Sequence, residues 1–273
     1  DNTISQSNDG SGIAIISSFS PRAIVENNVI SGNEYDGIVV QSSDNHYFGN
    51  NSISSNDRYD LHISSSSVGS IIRNTTFSTI TVSASSDLTT VELLMLSVKD
   101  VSGSNMSGID IKVMENDVQK YATSYFGGSD SKTDSSGTVA TFLINNKIYD
   151  GSSTPTLIPT YVSARYYDWV ETASFDASST IQITVPDLRV YIVGSNDDKP
   201  EYYHIQTAID EADEGETIRA WNGTYLENIE IDEELTIIGN GTSTIINGGN
   251  DTAIDVTEDS VTIKNIMIIY IIK

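Results

Sequence analysis

The chain contains no cysteine. That removes disulfides, thiolate metal sites and cysteine nucleophiles together, although a cysteine-free chain is compatible with any compartment. Positive charge is scarce: 14 Lys and Arg stand against 38 Asp and Glu, for a formal net charge of −24. This argues against nucleic acid as a partner, because phosphate backbones demand Lys and Arg, and against an anionic membrane surface. No uninterrupted apolar run is long enough to span a membrane, and no signal peptide is visible. Helix formers are sparse. The three histidines, His46, His62 and His204, show neither HxH nor HExxH spacing, so a transition-metal site lacks support.

What is abundant is Ser, Thr, Asn, Asp, Gly, Ile and Val. β-Branched residues mixed with turn formers point to strands with frequent reversals. Residues 1–86 are repetitive. The phrase Asn27–Val40 (NNVISGNEYDGIVV) returns as Asn50–Ile63 (NNSISSNDRYDLHI). On that 23-residue spacing Asn28, Asn51 and Asn74 align, as do Val25, Phe48 and Ile71, Ile30 with Ile53, Ile38 with Leu61, and Val40 with Ile63. A period in the twenties signals a solenoid. The leucine ladder of leucine-rich repeats is missing, which leaves a parallel β-helix, its coils stacked at about 4.8 Å. Aligned apolar residues then form inward ladders, and asparagines form corners; Asn74 is expected either at a corner or on an inward ladder.

Residues 87–188 carry no such period. Strand-like alternation recurs at Leu94–Val98, Ile109–Val113, Val139–Leu143, Tyr161–Ala164 and Ile181–Val185, separated by turn clusters, and reads as a β-sandwich. Residues 189–273 open with Ile205, Ala208, Ile209 and Ala212 on one helix face, with Gly215 set to end the helix. Short strand-like pieces follow, so the helix is expected to cap a second solenoid whose end coil needs covering. The predicted fold class is all-β: coils of a parallel β-helix, a β-sandwich spacer, and the capped start of a second parallel β-helix. The chain begins within a repeat unit and stops inside an apparent strand, which reads as a piece of a longer protein.

Three resemblances cover nearly the whole chain. Asn28–Asn33 with Asp36-Gly-Ile38, and Asn51–Asn56 with Tyr59-Asp-Leu61, resemble the right-handed parallel β-helix repeats of pectin-lyase-like proteins, especially the NosD-like group common in archaeal secreted proteins. Ile205–Asp210, Gly215–Ile218, Trp221–Tyr225 and Leu235–Gly239 resemble the opening of another such β-helix. Val98-Lys-Asp100, Gly103, Gly108–Ile111 and Thr133–Val139 resemble the carboxypeptidase-regulatory-like (prealbumin-like) sandwich, which implies a spacer or binding adaptor. Related sandwiches can carry a Lys–Asn isopeptide bond from a lysine two residues before the Asp of the first motif. That position is Val98 here, and Lys99 alternates to the other face, so no such crosslink is expected.

Enzymes exist on the β-helix fold, and glycoside hydrolysis needs paired carboxylates. On the 23-residue register Asp36 aligns with Tyr59, Asp60 with Gly37 and Asp44 with Ser67, so no carboxylate pair stacks. Arg22 aligns with Asn45, and Arg73 with Asn50 and Asn27, so a lyase's acidic cluster is missing as well. His46 reads as a histidine at the edge of a coil, not a ligand, and the group's copper-related name is not carried to this chain. Asp130-Ser-Lys-Thr-Asp134 has Lys132 where a calcium cage needs oxygen and reads as a turn. Glu230, Asp232, Glu233 and Glu234 read as a solvated edge, with weak calcium binding as the alternative.

Tyr166, Tyr167 and Trp169 form a possible sugar-stacking platform, with packing as the competing reading. Sequons stand at Asn50, Asn74, Asn105, Asn222, Asn240 and Asn250, each in a predicted turn or loop that would admit a glycan; chance in so Asn-, Ser- and Thr-rich a chain competes. The reading that results is a non-catalytic structural or adhesive module of a secreted or cell-surface glycoprotein. Its expected partners are polysaccharide or other surface proteins, with no cofactor required. The alternative is a polysaccharide-active enzyme whose site lies largely outside this chain.

Overall fold

In the computed structural model, residues 2–5, 10–16, 22–176, 180–193 and 202–269 are described. They form an all-β chain with parallel solenoid coils, as the repeat predicted. In the N-terminal part three parallel sheets run along the stack. One joins Asn2–Ser5, Asn28–Ser31 and Ser52–Ser54. A second joins Ile13–Ile16, Ile38–Gln41, Leu61–Ser64 and Ile80–Val82. A third joins Ile24–Glu26, Tyr47–Gly49 and Ser70–Arg73. Alternation within each short strand turns Ile30, Ile38, Val40, Phe48, Ile53, Leu61, Ile63 and Ile72 into one buried column.

The corners are built from consecutive polar pairs. Asn27, Asn50 and Asn74 adopt left-handed backbone (φ 59°, 52° and 44°), a conformation asparagine tolerates better than most residues. The residue after each one turns inward and bonds to the coil above or below. Asn28 donates its backbone and side-chain N–H to Asn51 Oδ1 (3.0 and 3.1 Å), and Asn51 N donates to Thr75 Oγ1 (3.1 Å). A second ladder runs from Asn33 Nδ2 to Asn56 Oδ1 at 2.8 Å.

The third coil corrects the uniform period. Ile38 pairs Leu61, 23 residues on, but Tyr47 pairs Ile71 and Phe48 pairs Ile72, 24 on. The extra residue enters at the run Ser64–Ser67, where Ser65 and Ser66 are both left-handed (φ 58° and 61°). The inward column is therefore Phe48–Ile72, Thr75 replaces Asn74 on the ladder, Arg73 stacks on Gly49, and Asp44 accepts from Val68 N (2.8 Å) instead of facing Ser67. Asn74 is exposed at the corner.

The third sheet does not stop with the solenoid. The long strand Asp87–Asp100 pairs parallel to Ser70–Arg73 through Leu88–Val91. Its far half pairs parallel to Thr180–Val185, and its near half pairs antiparallel to Phe142–Asp150. A separate antiparallel sheet orders Val118–Ala122, Asp110–Glu115, Pro159–Tyr166 and Trp169–Asp176. Leu94, Leu96, Ile111, Val113, Ile144, Val162 and Trp169 share one buried cluster here. The strand expected at Val139–Leu143 lies instead at Phe142–Asp150.

In the last described region Thr217–Ala220, Thr236–Ile238 and Thr262–Lys264 stack in parallel, as do Gly223–Tyr225, Thr244–Asn247 and Met267–Ile269. Val190–Val193 adds antiparallel to the first stack. The helix Ile205–Asp210 buries Ile205, Ala208 and Ile209 against this core, which also holds Ile218, Ile231, Ile237 and Ile246. Gly215 is left-handed (φ 82°) in the turn beyond the helix.

Candidate functional site

A concavity lies where the last coil meets the strand pair Asp87–Asp100 and Phe142–Asp150. It is a groove of about 670 Å³. Arg73 reaches it from the coil, and Lys147 and Glu92 from the two long strands. Among the described residues neither Arg73 nor Lys147 forms an ion pair. Two uncommitted cations in one groove stand out against a net charge of −24. Its apolar side is Phe77 and Tyr149, whose rings meet edge to face at 6.3 Å. Burial raises the Tyr149 pKa above its usual value, so its hydroxyl stays protonated. Asn50 and Asn74 border the groove, and Asn74 Nδ2 donates to Asn50 Oδ1 at 2.8 Å. Cations, amides, threonine hydroxyls and an aromatic edge together make a lining that suits an anionic, hydroxyl-rich ligand.

A second polar group sits on the coils. Asp36 is buried, accepts from His62 Nδ1 at 3.0 Å and has Arg58 at 3.9 Å. Its Oδ1 is buried without a hydrogen-bond partner. Tyr59 meets the His62 ring edge-on at 5.7 Å. Sequence alignment missed this pair, because the two residues are 26 apart and a side chain reaching diagonally between coils leaves no mark at the repeat spacing. Asp60, also buried, instead serves the turn, accepting from Asn56 Nδ2, Ser78 N and Thr79 N.

The other singled-out residues separate by role. Trp169 is buried in the middle core, Tyr166 packs against that core and lies 5.7 Å from Tyr203, and only Tyr167 is exposed, at a left-handed hairpin turn (φ 53°). The three rings therefore present no common exposed face. All six sequon asparagines are exposed; Asn240 Nδ2 donates to Asn222 Oδ1 at 2.7 Å, a second stacked pair. His46 is buried and bridges Ala23 N (3.1 Å) and Ser43 Oγ (2.7 Å), with burial lowering its pKa. Lys132 pairs with buried Asp110 at 2.9 Å, and Glu230, Asp232, Glu233 and Glu234 are all exposed.

His204 lies outside the coils' polar groups and ties two regions together. Asp168, in the hairpin turn, accepts from Tyr203 N (2.6 Å), His204 N (2.9 Å) and His204 Nδ1 (3.2 Å). The Asp168 hydrogen bond raises the His204 pKa. Glu227, its own pKa raised by burial, accepts from Ile205 N and Gln206 N at the start of the helix.

Residues 1–93 match the family model described as Periplasmic copper-binding protein (NosD). The NosD-like part thus comprises the first coils and the first half of the strand Asp87–Asp100. No curated protein and no solved structure matches the chain. The donor set does not fit a copper centre: cysteine is absent, His46 has both ring nitrogens engaged, His62 and His204 each serve a separate carboxylate, and no group of three His, Asp or Glu converges among the described residues. No helix among them is long and apolar enough to cross a membrane.

Proposed function

We propose that this chain is a non-catalytic structural and adhesive module of a large secreted or cell-surface protein, and that it binds acidic glycan at the Arg73–Lys147 groove. Three segments divide the work: solenoid coils over 1–86, a sandwich spacer over 87–188, and a capped second solenoid over 189–273. Three distinct apolar clusters support that division, and the periplasmic family match of residues 1–93 supports an extracytoplasmic setting. The observation that carries the glycan reading is the pair of uncommitted cations facing amides, hydroxyls and an aromatic edge. The acidic surface elsewhere repels polyanions, which confines binding to that groove. The exposed sequons favour a glycoprotein.

The test is binding of immobilised uronate-containing and neutral polysaccharides. The acidic polymers should bind and the neutral ones should not. Since a hydrogen bond to a charged group is worth about 1.5–3 kcal/mol, Arg73→Ala or Lys147→Ala should weaken binding about tenfold or more, and added salt should weaken it further. Equal binding of neutral polymers, or no loss in either variant, would refute the groove. The Asp36–His62 pair favours a second reading, a polysaccharide-active enzyme, because a carboxylate-held imidazole is suited to proton transfer. Release of reducing ends that disappears in His62→Ala would establish it.

A further inference from the structure

Two rungs of paired sequon asparagines differ in the residue that follows each asparagine. Asn74 Nδ2 donates to Asn50 Oδ1 at 2.8 Å, and Asn240 Nδ2 donates to Asn222 Oδ1 at 2.7 Å. After Asn50 and Asn74 come Asn51 and Thr75; after Asn222 and Asn240 come Gly223 and Gly241. An Asn–Gly step is open to a reaction internal to the chain. The next backbone nitrogen is within ring-closing reach of the asparagine's own Cγ, and glycine puts no side chain in the way. The chain has a third such step, Asn247-Gly248.

The fold treats the three differently. Gly248 is buried, and its N–H donates to Ile269 O at 3.1 Å. Asn247 Oδ1 is held by Gly249 N at 2.9 Å, and a Cβ on Gly248 would lie 2.6 Å from Ala253 Cα. Gly223 opens the strand Gly223–Tyr225, which pairs with Thr244–Asn247, and the Leu188 side chain fills the space a Cβ would need. Gly241 stands apart. It is exposed and left-handed (φ 69°), and no atom lies within 4 Å of where its Cβ would be. It begins the short 3-10 turn Gly241–Ser243, so its N–H has no acceptor within that turn. Asn240 is exposed as well, and among the described residues its carboxamide makes one hydrogen bond, the rung to Asn222.

We propose that Asn240 deamidates through a succinimide in the folded protein, ahead of Asn222 and Asn247, while the Asn50–Asn74 rung persists. Gly241 N attacks Asn240 Cγ, and the N–Cγ bond forms. The Gly241 N–H proton passes to Nδ2, the Cγ–Nδ2 bond breaks, and ammonia leaves. Water then adds to one of the two imide carbonyls. Opening at Cγ gives aspartate, and opening at the main-chain carbonyl gives isoaspartate. The sum is carboxamide plus water to carboxylate plus ammonium, with no oxidant or reductant. Either product removes the donor from the rung, so residue 240 turns a carboxylate oxygen toward Asn222 and Asn222 must supply the proton. Isoaspartate also lengthens the main chain at the corner between the strands Thr236–Ile238 and Thr244–Asn247. The departing nitrogen is the one a glycan would need, so an unglycosylated Asn240 loses its sequon with age.

The experiment is incubation of the full chain in heavy-oxygen water at mildly alkaline pH, folded and in urea, followed over time by peptide mapping with fragmentation. In the folded chain Asn240 should take up heavy oxygen first and split into aspartate and isoaspartate forms, with Asn222 and Asn247 lagging and Asn50 and Asn74 unchanged. In urea the three Asn–Gly steps should convert at similar rates, so that the order belongs to the fold. Gly241→Asn rebuilds the Asn-Asn phrase of the first coils. Asparagine tolerates the left-handed backbone, and the space around Gly241 is open, so this variant should stay folded by circular dichroism and lose the conversion at Asn240. An Asn240 that stays intact in the folded chain after the three steps have converted in urea would overturn the proposal. So would earlier conversion of Asn222 or Asn247 in the folded chain, or undiminished conversion of Asn240 in Gly241→Asn.

Discussion

The parallel stacks in the N-terminal and the last described regions are held together by different means. In the first, Asn28, Asn33, His46, Asn51, Ser67 and Ser70 are all buried, and their side chains bond from coil to coil. In the second, among the described residues, Thr244 alone is a buried Ser, Thr, Asn or His side chain, and the stack rests on Ile218, Ile231, Ile237 and Ile246. Apolar ladders reward burial but tolerate sliding by a residue pair. Side-chain ladders specify register, because each donor has one acceptor in the next coil. The polar stack also accommodates the change from 23 to 24 residues, since the serine run can add a residue without displacing an apolar one.

The sharpest way to break this contrast is to exchange the two chemistries. Ile237→Asn should cost at least about 4 kcal/mol, because it removes apolar contact and buries an unpaired amide; urea unfolding followed by circular dichroism would read it. Asn51→Ala should cost about 2–4 kcal/mol by leaving Asn28 N–H and the Val25 carbonyl without their partner, and hydrogen exchange should rise in Asn28–Ser31 more than in the strands Thr217–Ala220 and Thr236–Ile238. Ser66→Gly should stabilise the chain by about 0.5 kcal/mol, since a left-handed L-residue costs more than glycine's added freedom; a loss of stability would mean that the extra residue is held by its side chain.

Acidity gives the smallest and most selective probe, because two histidines are shifted in opposite directions from 6.5. Burial depresses His46, so its contribution is present above 6.5 and fades as pH falls from there toward the lowered value. Asp168 raises His204, so the stability it adds is present below 6.5 and is lost as pH rises through the folded value. Region-resolved hydrogen exchange should therefore show the first coils loosening on mild acidification and the contact at the start of the helix loosening on alkalinisation. Parallel behaviour of both regions would remove the contrast.

Much of the fold is legible in sequence because a coil repeats its own environment. Asn27-Asn28 and Asn50-Asn51 announce a left-handed corner followed by a ladder residue, and Ile205, Ala208 and Ile209 announce the covered helix face. The extra residue at Ser65–Ser66 was hidden because four consecutive serines carry no register mark. The strand Phe142–Asp150 extends past the expected one because Asn145, Asn146 and Lys147 break the apolar alternation at a bulge, and only Asn145 is answered across the core, by Glu115. The Arg73–Lys147 groove has no local signal at all. It arises only when a coil and a distant strand are brought side by side, as does the diagonal from Asp36 to His62.

The strand Asp87–Asp100 has a mechanical consequence. Its first residues are clamped between Ser70–Arg73 and Phe142–Asp150, and its last pair with Thr180–Val185. A pull that separates the first coils from the middle region along this strand meets no slack linker. It loads several hydrogen bonds at once in shear, so the junction should yield at a higher force than a tethered pair of domains and transmit tension as a single stiff element.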